Sequence, residues 1–394
     1  MTQLFGQRAR SFRLGSRAGR LAFLTAVLGA SALATATDYH GHDHDHHDRS
    51  IGPFGGPLFG LDGTEHGKLL VADASVGIIP SRYGAPIPLP GVSDISATRG
   101  AIWAVTGASP AAGGPQVDSG QGVHIIDRDG PRKIANLFEF ETNYNPHKES
   151  DTPVPDSNPF DVHALGRYSA LVVDAGGNDL LRVNKLGEID VLAVFPTTPV
   201  STENIKRLAG CPDSGAPFCG LPDLMPAQAV PTSVAVDRNG YIYVGELRGF
   251  PAPTNESSIW RISPSASGAL CGQSPDCVKV FDGGFTSIID LAFGPDGLLY
   301  VAELDEGSWA AIEIFGAPQG GTINACSIKY RRCQKVARGI DELTAITFDD
   351  DDDLWATRHA LIPGEAEVIK IDVRRHGHRH RRYDDDHHKD YDRH

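Results

Sequence analysis

The sequence predicts an all-β protein, a six-bladed β-propeller of four-stranded antiparallel blades. Three observations predict it. A five-residue apolar strand ending in a polar residue recurs six times along the 394-residue chain. An alternating apolar run and a turn precede each copy, which is the hairpin pattern. Further short apolar runs follow most copies, enough for four strands per repeat. A sheet of four short strands leaves apolar faces that only another sheet can cover. Stacking such sheets in a ring buries those faces and leaves only short edges.

The six strands are Leu69–Asp73, Ile102–Thr106, Ala170–Asp174, Ile242–Glu246, Leu299–Glu303 and Leu354–Arg358. The hairpins are plainest at 233–246, 290–303 and 344–357, where Asn239-Gly240 and Asp296-Gly297 tolerate positive φ and Asp349–Asp353 forms an acidic turn. Third strands are read at Val123–Asp127, Leu180–Asn184, Ile259–Ile262 and Val368–Val373, and fourth strands at Lys133–Phe138, Asp190–Phe195 and Val278–Phe281. The first two repeats are the closest together and read as degenerate. Pro/Gly/Ser/Asp-rich insertions at 107–120, 141–158, 197–230 and 263–277 account for the wider spacings.

The propeller is assigned to residues 51–373. Before it, residues 1–36 read as a signal peptide. Arg8, Arg10, Arg13, Arg17 and Arg20 precede the apolar stretch Leu21–Leu33, and small residues allow cleavage after Ala36. The stretch is short for a membrane span, and nothing later is apolar enough for one. The expectation is a secreted protein, extracellular or periplasmic, and monomeric. Residues 37–50 and 374–394 are rich in His, Asp and Arg, have too few apolar residues to pack, and are expected to be disordered. Net charge is −14, which repels phosphate backbones and excludes nucleic acid as a partner.

The six cysteines fall in neighbouring pairs, Cys211/Cys219, Cys271/Cys277 and Cys326/Cys333, and local disulfides are the expected pairing. The pairs sit in or beside loops, and pinning those loops is their expected role. None has CxxC spacing, so they do not read as a zinc site.

The stretches at 158–195 (NPFDVHALGRYSALVVDAGGNDLLRVNKLGEIDVLAVF), 230–251 and 283–304 resemble the ScyD/ScyE family of secreted propellers. More broadly, the chain is similar to NHL-repeat and gluconolactonase-like six-bladed propellers. The resemblance covers roughly residues 51–373. It implies export and a six-bladed ring, and no particular reaction.

Two sets of residues are candidates for chemistry. The first is the polar residue closing each repeated strand: Asp73, Asp174, Glu246 and Glu303, with Thr106 and Arg358 in the other two copies. Asn158, Asp161 and Asp290 lie near the starts of innermost strands. Asn158, Asp174, Glu246, Asp290 and Glu303 at a channel mouth have the oxygen chemistry to hold Ca²⁺ or to position a water. The same residues also read as hydrogen-bond anchors of their own repeat. The second set is the tail histidines His40, His42, His44, His46, His47, His376, His378, His380, His387 and His388, whose spacing suits Zn²⁺. The functional expectation is a non-catalytic propeller that binds an extracellular ligand or protein through one face. The alternative is a lactonase-, hydrolase- or lyase-like enzyme with a divalent metal at the channel mouth.

Overall fold

The computed structural model describes residues 50–64, 68–81, 84–108, 118–147 and 155–373. The expected signal peptide and histidine-rich tails lie outside the described residues, except Ser50, which the sequence places in the first tail and which instead begins a strand. Six antiparallel sheets follow one another around a central channel. From the channel outward, blade one is Leu58–Thr64, Lys68–Asp73, Gly77–Pro80 and Ile87–Pro88, and blade two is Val92–Thr98, Ala101–Thr106, Gly122–Asp127 and Gly130–Asn136. Blade three is Pro159–Ala164, Ser169–Asp174, Asp179–Asn184 and Ile189–Val194, and blade four is Pro231–Val236, Ile242–Glu246, Ser257–Ile262 and Cys277–Phe285. Blade five is Ile288–Phe293, Leu299–Glu303, Gly321–Ser327 and Arg332–Ile340. Blade six takes Ile346–Phe348, Leu354–Arg358 and Ala366–Ile371 from the end of the propeller, and Ser50–Phe54 from its beginning. Ser50 pairs with Ile369 and Ile51 with Val368, so this sheet closes the ring.

Apolar side chains alternate along each strand and meet between adjacent blades. Trp103 and Val105 of blade two, for example, are fully buried against Val172 and Val183 of blade three. The core is therefore a set of inter-blade layers, as stacked half-buried sheets require.

The structure corrects several details. The first two repeats are regular: their spacing is short because the connections at 74–76 and 89–91 are tight. The fourth strand of blade two ends at Asn136, short of Phe138. There the Asn136 side chain accepts from Glu139 N at 3.1 Å and caps a helix, α1, Leu137–Tyr144. The loop at 263–277 contains the short strand Ala269–Leu270, which pairs in parallel with Ile189–Val194 as a fifth strand of blade three. The insertion at 197–230 holds a hairpin, Thr198–Ser201 with Leu224–Ala227, and a short helix, α2, Glu203–Leu208. A further short helix, α3, Trp309–Glu313, lies in blade five.

All three neighbour disulfides form: Cys211–Cys219, Cys271–Cys277 and Cys326–Cys333. Cys211–Cys219 pins its loop as expected, and Cys326–Cys333 departs from that expectation. Cys219 stands in a single 3₁₀ turn, Pro217–Gly220, which its bridge ties to the end of α2 through Cys211. Cys326 and Cys333 sit directly opposite each other on paired strands of blade five, seven residues apart in sequence. So small a ring limits the unfolded chain modestly. Replacing both Cys326 and Cys333 with serine is expected to lower stability by about 2–3 kcal/mol in urea unfolding, with the fold retained. A loss of the native circular dichroism spectrum would mean that this bridge supports more than its own hairpin.

Candidate functional site

Antiparallel connectivity sorts the loops onto two faces. Connections from first to second strand and from third to fourth emerge on one face, and most are short turns. Connections from second to third strand and between blades emerge on the other, called here the loop face. It carries α1, α2 and α3. Among the described residues, every non-glycine residue with left-handed backbone except Arg331 and Asp352 also lies there. Such conformations cost energy and persist only where surrounding contacts hold them.

The channel itself is built from the third residue of the innermost strand in blades one to five, and from the residue just before the short innermost strand of blade six. A bulge follows the first residue in blades one to five and sets this position in the same place each time. The six residues are Gly60, Asp94, Asp161, Ser233, Asp290 and Ala345. An innermost strand has a free edge, and its channel-facing N–H groups need acceptors. The aspartates supply them from the preceding blade. Asp94 Oδ2 accepts from Val162 N at 3.0 Å, Asp161 Oδ2 from Val234 N at 2.6 Å, and Asp290 Oδ2 from Ile346 N at 2.6 Å. Two residues deeper, Asp62 accepts from Ala97 N and Ser96 Oγ from Ala164 N.

The four carboxylates converge. Asp94 and Asp290 belong to opposite blades, yet each feels the other's charge or that of Asp161. Burial is the main cause of a raised proton affinity at all four; repulsion adds to it at Asp62, Asp94 and Asp290, whereas a hydrogen bond with Asp94 partly offsets it at Asp161. Asp62 is pushed up to about 7 and Asp161 to about 6, while Asp94 and Asp290 are also held well above the ordinary carboxylate range.

One layer nearer the loop face the channel is apolar. The second residues of blades one, three and five are Phe59, Phe160 and Ile289, which pack in one cluster. Phe59 and Phe160 come from non-adjacent blades, and their rings meet edge-on at 5.8 Å across the axis. In blades two, four and six the same position carries a hydroxyl. Ser93, Thr232 and Thr344 donate to the carbonyls of Pro159, Ile288 and Leu58 in the following blade, at 2.8, 2.6 and 2.6 Å. Aromatic plug and hydroxyl staples alternate around the ring, and the plug covers the carboxylates from the loop face.

The strand-ending polar residues occupy the positions expected of them and are engaged within the fold. Asp73 accepts from Gly56 N, Ser75 N and Ser75 Oγ. Asp174 accepts from Ser157 Oγ, Asn158 N, Gly176 N and Gly177 N. Glu303 accepts from Thr286 N, Thr322 Oγ1 and Asn324 Nδ2. Thr106 bonds His124 Nε2 and the Gly120 carbonyl, and Arg358 pairs with Glu367. Asn158 Oδ1 accepts from Ala108 N. Glu246 is fully buried, 2.9 Å from Arg248 Nε, and accepts from Trp260 Nε1. Burial pushes its carboxyl up, and Arg248 and Lys279 pull it back. Asp73, Asp174 and Asn158 hold loop amides, while Glu303, Glu246 and Arg358 bond side chains of the neighbouring strand. Among the described residues no three His, Cys, Asp or Glu side chains group as a metal centre.

Sequence reasoning missed Asp62 and Asp94 as channel residues. Asp94 shows once the innermost strands are aligned on their bulges, two residues after each strand start. Asp62 stands two residues further along.

A cleft of about 480 Å³ opens on the loop face in the 197–230 insertion, lined by Ser201, Thr202, Glu203, Lys206, Arg207 and Asp223 beside Cys211. Cys219, the disulfide partner of Cys211, braces this wall without lining it. The insertion is docked on neighbouring blades. Asn204 Nδ2 donates to the carbonyls of Ala252 and Gly307 and to Ser308 Oγ, and Phe218 packs on Phe250 and Phe315. Lys206 pairs with Asp223 at 3.1 Å and Arg207 donates to Asn204 Oδ1 at 2.8 Å. The cleft thus offers both charges on a rigid support.

No protein-family model matches the chain, and no curated protein matches it. Solved propellers are similar in architecture. Virginiamycin B lyase from Staphylococcus aureus has 14% identity and a TM-score of 0.42, over 80% of this chain and 85% of that one. A putative glucose dehydrogenase from Thermus thermophilus has 14% identity and a TM-score of 0.45, over 82% and 98%. The soluble aldose sugar dehydrogenase of Escherichia coli has 10% identity and a TM-score of 0.44, over 81% and 96%. At these values no activity passes from those proteins to this chain.

Proposed function

We propose that the chain is an exported, non-catalytic propeller of the ScyD/ScyE type that binds a ligand or partner through its loop face. The observation that carries this reading is the plug. Phe59, Phe160 and Ile289 cover the axial carboxylates from the loop face, the side on which the helices, the docked insertion and the mixed-charge cleft stand. A ligand approaching that face meets the cleft and loops, where recognition needs polar groups on a rigid frame. Three disulfides suit an oxidising compartment, and no helix among the described residues is long and apolar enough to cross a membrane.

The test is turnover. The full chain, supplied with Ca²⁺ or Zn²⁺ and a sugar δ-lactone as probe, is expected to hydrolyse it no faster than buffer. Turnover that falls at least a hundredfold in Glu303→Gln would replace this reading with a lactonase.

A further inference from the structure

The turn from Asp174 to Asp179 contains a carboxylate that the fold does not satisfy. The two aspartates face each other in register where the second and third strands of blade three begin to separate. Asp174 is fully engaged by the turn, as described above. Asn178 is committed as well, its Oδ1 accepting from Val230 N and its Nδ2 donating to the Gly176 carbonyl. Asp179 is 1% exposed, and its Oδ1 has no hydrogen-bond partner. Enclosing a charged oxygen without a partner is costly, so such groups are ordinarily protonated, paired or bound to a cation.

A second buried carboxylate lies near it, and an unpartnered amide oxygen follows on the same helix end. Glu141 on α1 is 5% exposed and lies close enough for its charge to act on Asp179. Asn145 follows the helix in left-handed conformation and donates its N–H to the Glu141 carbonyl. Asn145 thus closes the last turn of α1 over the Glu141 carbonyl. The Asn145 Oδ1 is enclosed and has no hydrogen-bond partner. Burial, then Asp174, then Glu141 raise the proton affinity of Asp179 well above the ordinary range, as expected where negative groups are brought together.

We propose that Asp179, Glu141 and the Asn145 side-chain oxygen form a binding site for a hard divalent cation, with Ca²⁺ the fitting ion. Two carboxylates and an amide oxygen, with no sulfur or required nitrogen, are ligands of that class. Asp174 stays outside the set because the turn amides occupy it. An ion here ties α1, in the connection between blades two and three, to the third strand of blade three. Through Asn178 to Val230, and through Asn158 to Ala108, it steadies connections on both sides. The inference does not depend on which ligand the loop face binds.

Thermal unfolding of the full chain tests it, at pH 7.5 after EDTA treatment and with Ca²⁺ as the probe. At a hundredfold excess over Kd the midpoint is expected to rise by roughly 5 °C. In Asp179→Asn that rise should vanish, and the calcium-free midpoint should not fall, since an unpaired buried charge has been removed. Glu141→Gln should weaken the response at least tenfold in Ca²⁺ concentration and serves as the second variant if Asp179→Asn folds poorly. No calcium response in the parent chain overturns the proposal and leaves a carboxyl pair that shares a proton. A response unchanged in both variants overturns it too, placing the calcium elsewhere.

Discussion

Glu246→Ala is expected to lower the stability of the propeller by about 3–5 kcal/mol, the largest effect of any single charge removal in this fold. Glu246 is fully buried and Arg248 only 3% exposed. The carboxylate lies 2.9 Å from Arg248 Nε, and the Arg248 Nη1 has no hydrogen-bond partner. Deleting the acid leaves a guanidinium enclosed without a counter-charge and strands Trp260 Nε1. It also loosens the Arg248 backbone, which sits at φ 69° and receives the Trp309 indole N–H at 2.8 Å. The double variant Glu246→Ala/Arg248→Met removes both charges and should recover most of the loss. Urea unfolding of the three proteins measures the difference. A single variant within about 1 kcal/mol of the parent would show that water reaches the pair.

The second large effect is pH dependence set by the channel. Asp62 and Asp161 are raised to about 7 and about 6, from an ordinary aspartate value near 4, and Asp94 and Asp290 are raised as well. A raised value means that the folded chain holds these protons more tightly than the unfolded chain. The stability they contribute is complete below about pH 4 and is lost as pH rises through 6 to 7. Each pH unit of displacement is worth about 1.4 kcal/mol per group, before coupling among the four is counted. His124 and His163 act oppositely: burial pushes both down to about 4, so they favour unfolding as pH falls below about 6.5. The informative quantity is therefore the difference between parent and Asp161→Asn. The parent should lose more stability than the variant between pH 5 and pH 8, and the variant should melt higher at pH 8. Parallel profiles would mean that the axial carboxylates are solvated like surface groups.

The blade-repeating strand was legible because two signals coincide in it, apolar alternation and a tight turn before it. All six copies appear where the sequence places them. Ile242–Glu246, Leu299–Glu303 and Leu354–Arg358 have the same bounds in both readings. The outer strands of blade five, Gly321–Ser327 and Arg332–Ile340, were not legible. Arg332–Ile340 is exposed and charged, and Gly321–Ser327 is buried along nearly its whole length, so neither shows a clear pattern of period two. The fifth strand of blade three was hidden for another reason. Ala269–Leu270 is two residues long and acquires its partner from another blade, which no local pattern encodes. Asp73, Asp174 and Glu303 were visible as a recurring polar position. Their hydrogen bonds run to loop amides and, for Glu303, to side chains of the next strand, partners that no repeat pattern locates. The Cys211–Cys219 pairing was legible from proximity, but the 3₁₀ turn around Cys219 was not, because Pro and Gly at 212–220 read only as loop. Nothing in the sequence singles out Asp179, because its setting depends on α1 arriving from the preceding connection.

The sixth blade takes its outermost strand from the start of the described chain and its other three from the end. Thr344 Oγ1, bonded to the Leu58 carbonyl, spans 286 residues of sequence. Contacts of that separation form late, because the entropy of closing so long a loop precedes any gain from pairing. During synthesis the segment 50–54 must wait unpaired until Ala366–Ile371 emerges. Blades one to five can stack as an open arc in the meantime, with bare apolar faces at both ends. The open arc is the vulnerable species for aggregation and for exchange of strands between two chains, and its lifetime is set by how soon those last residues appear.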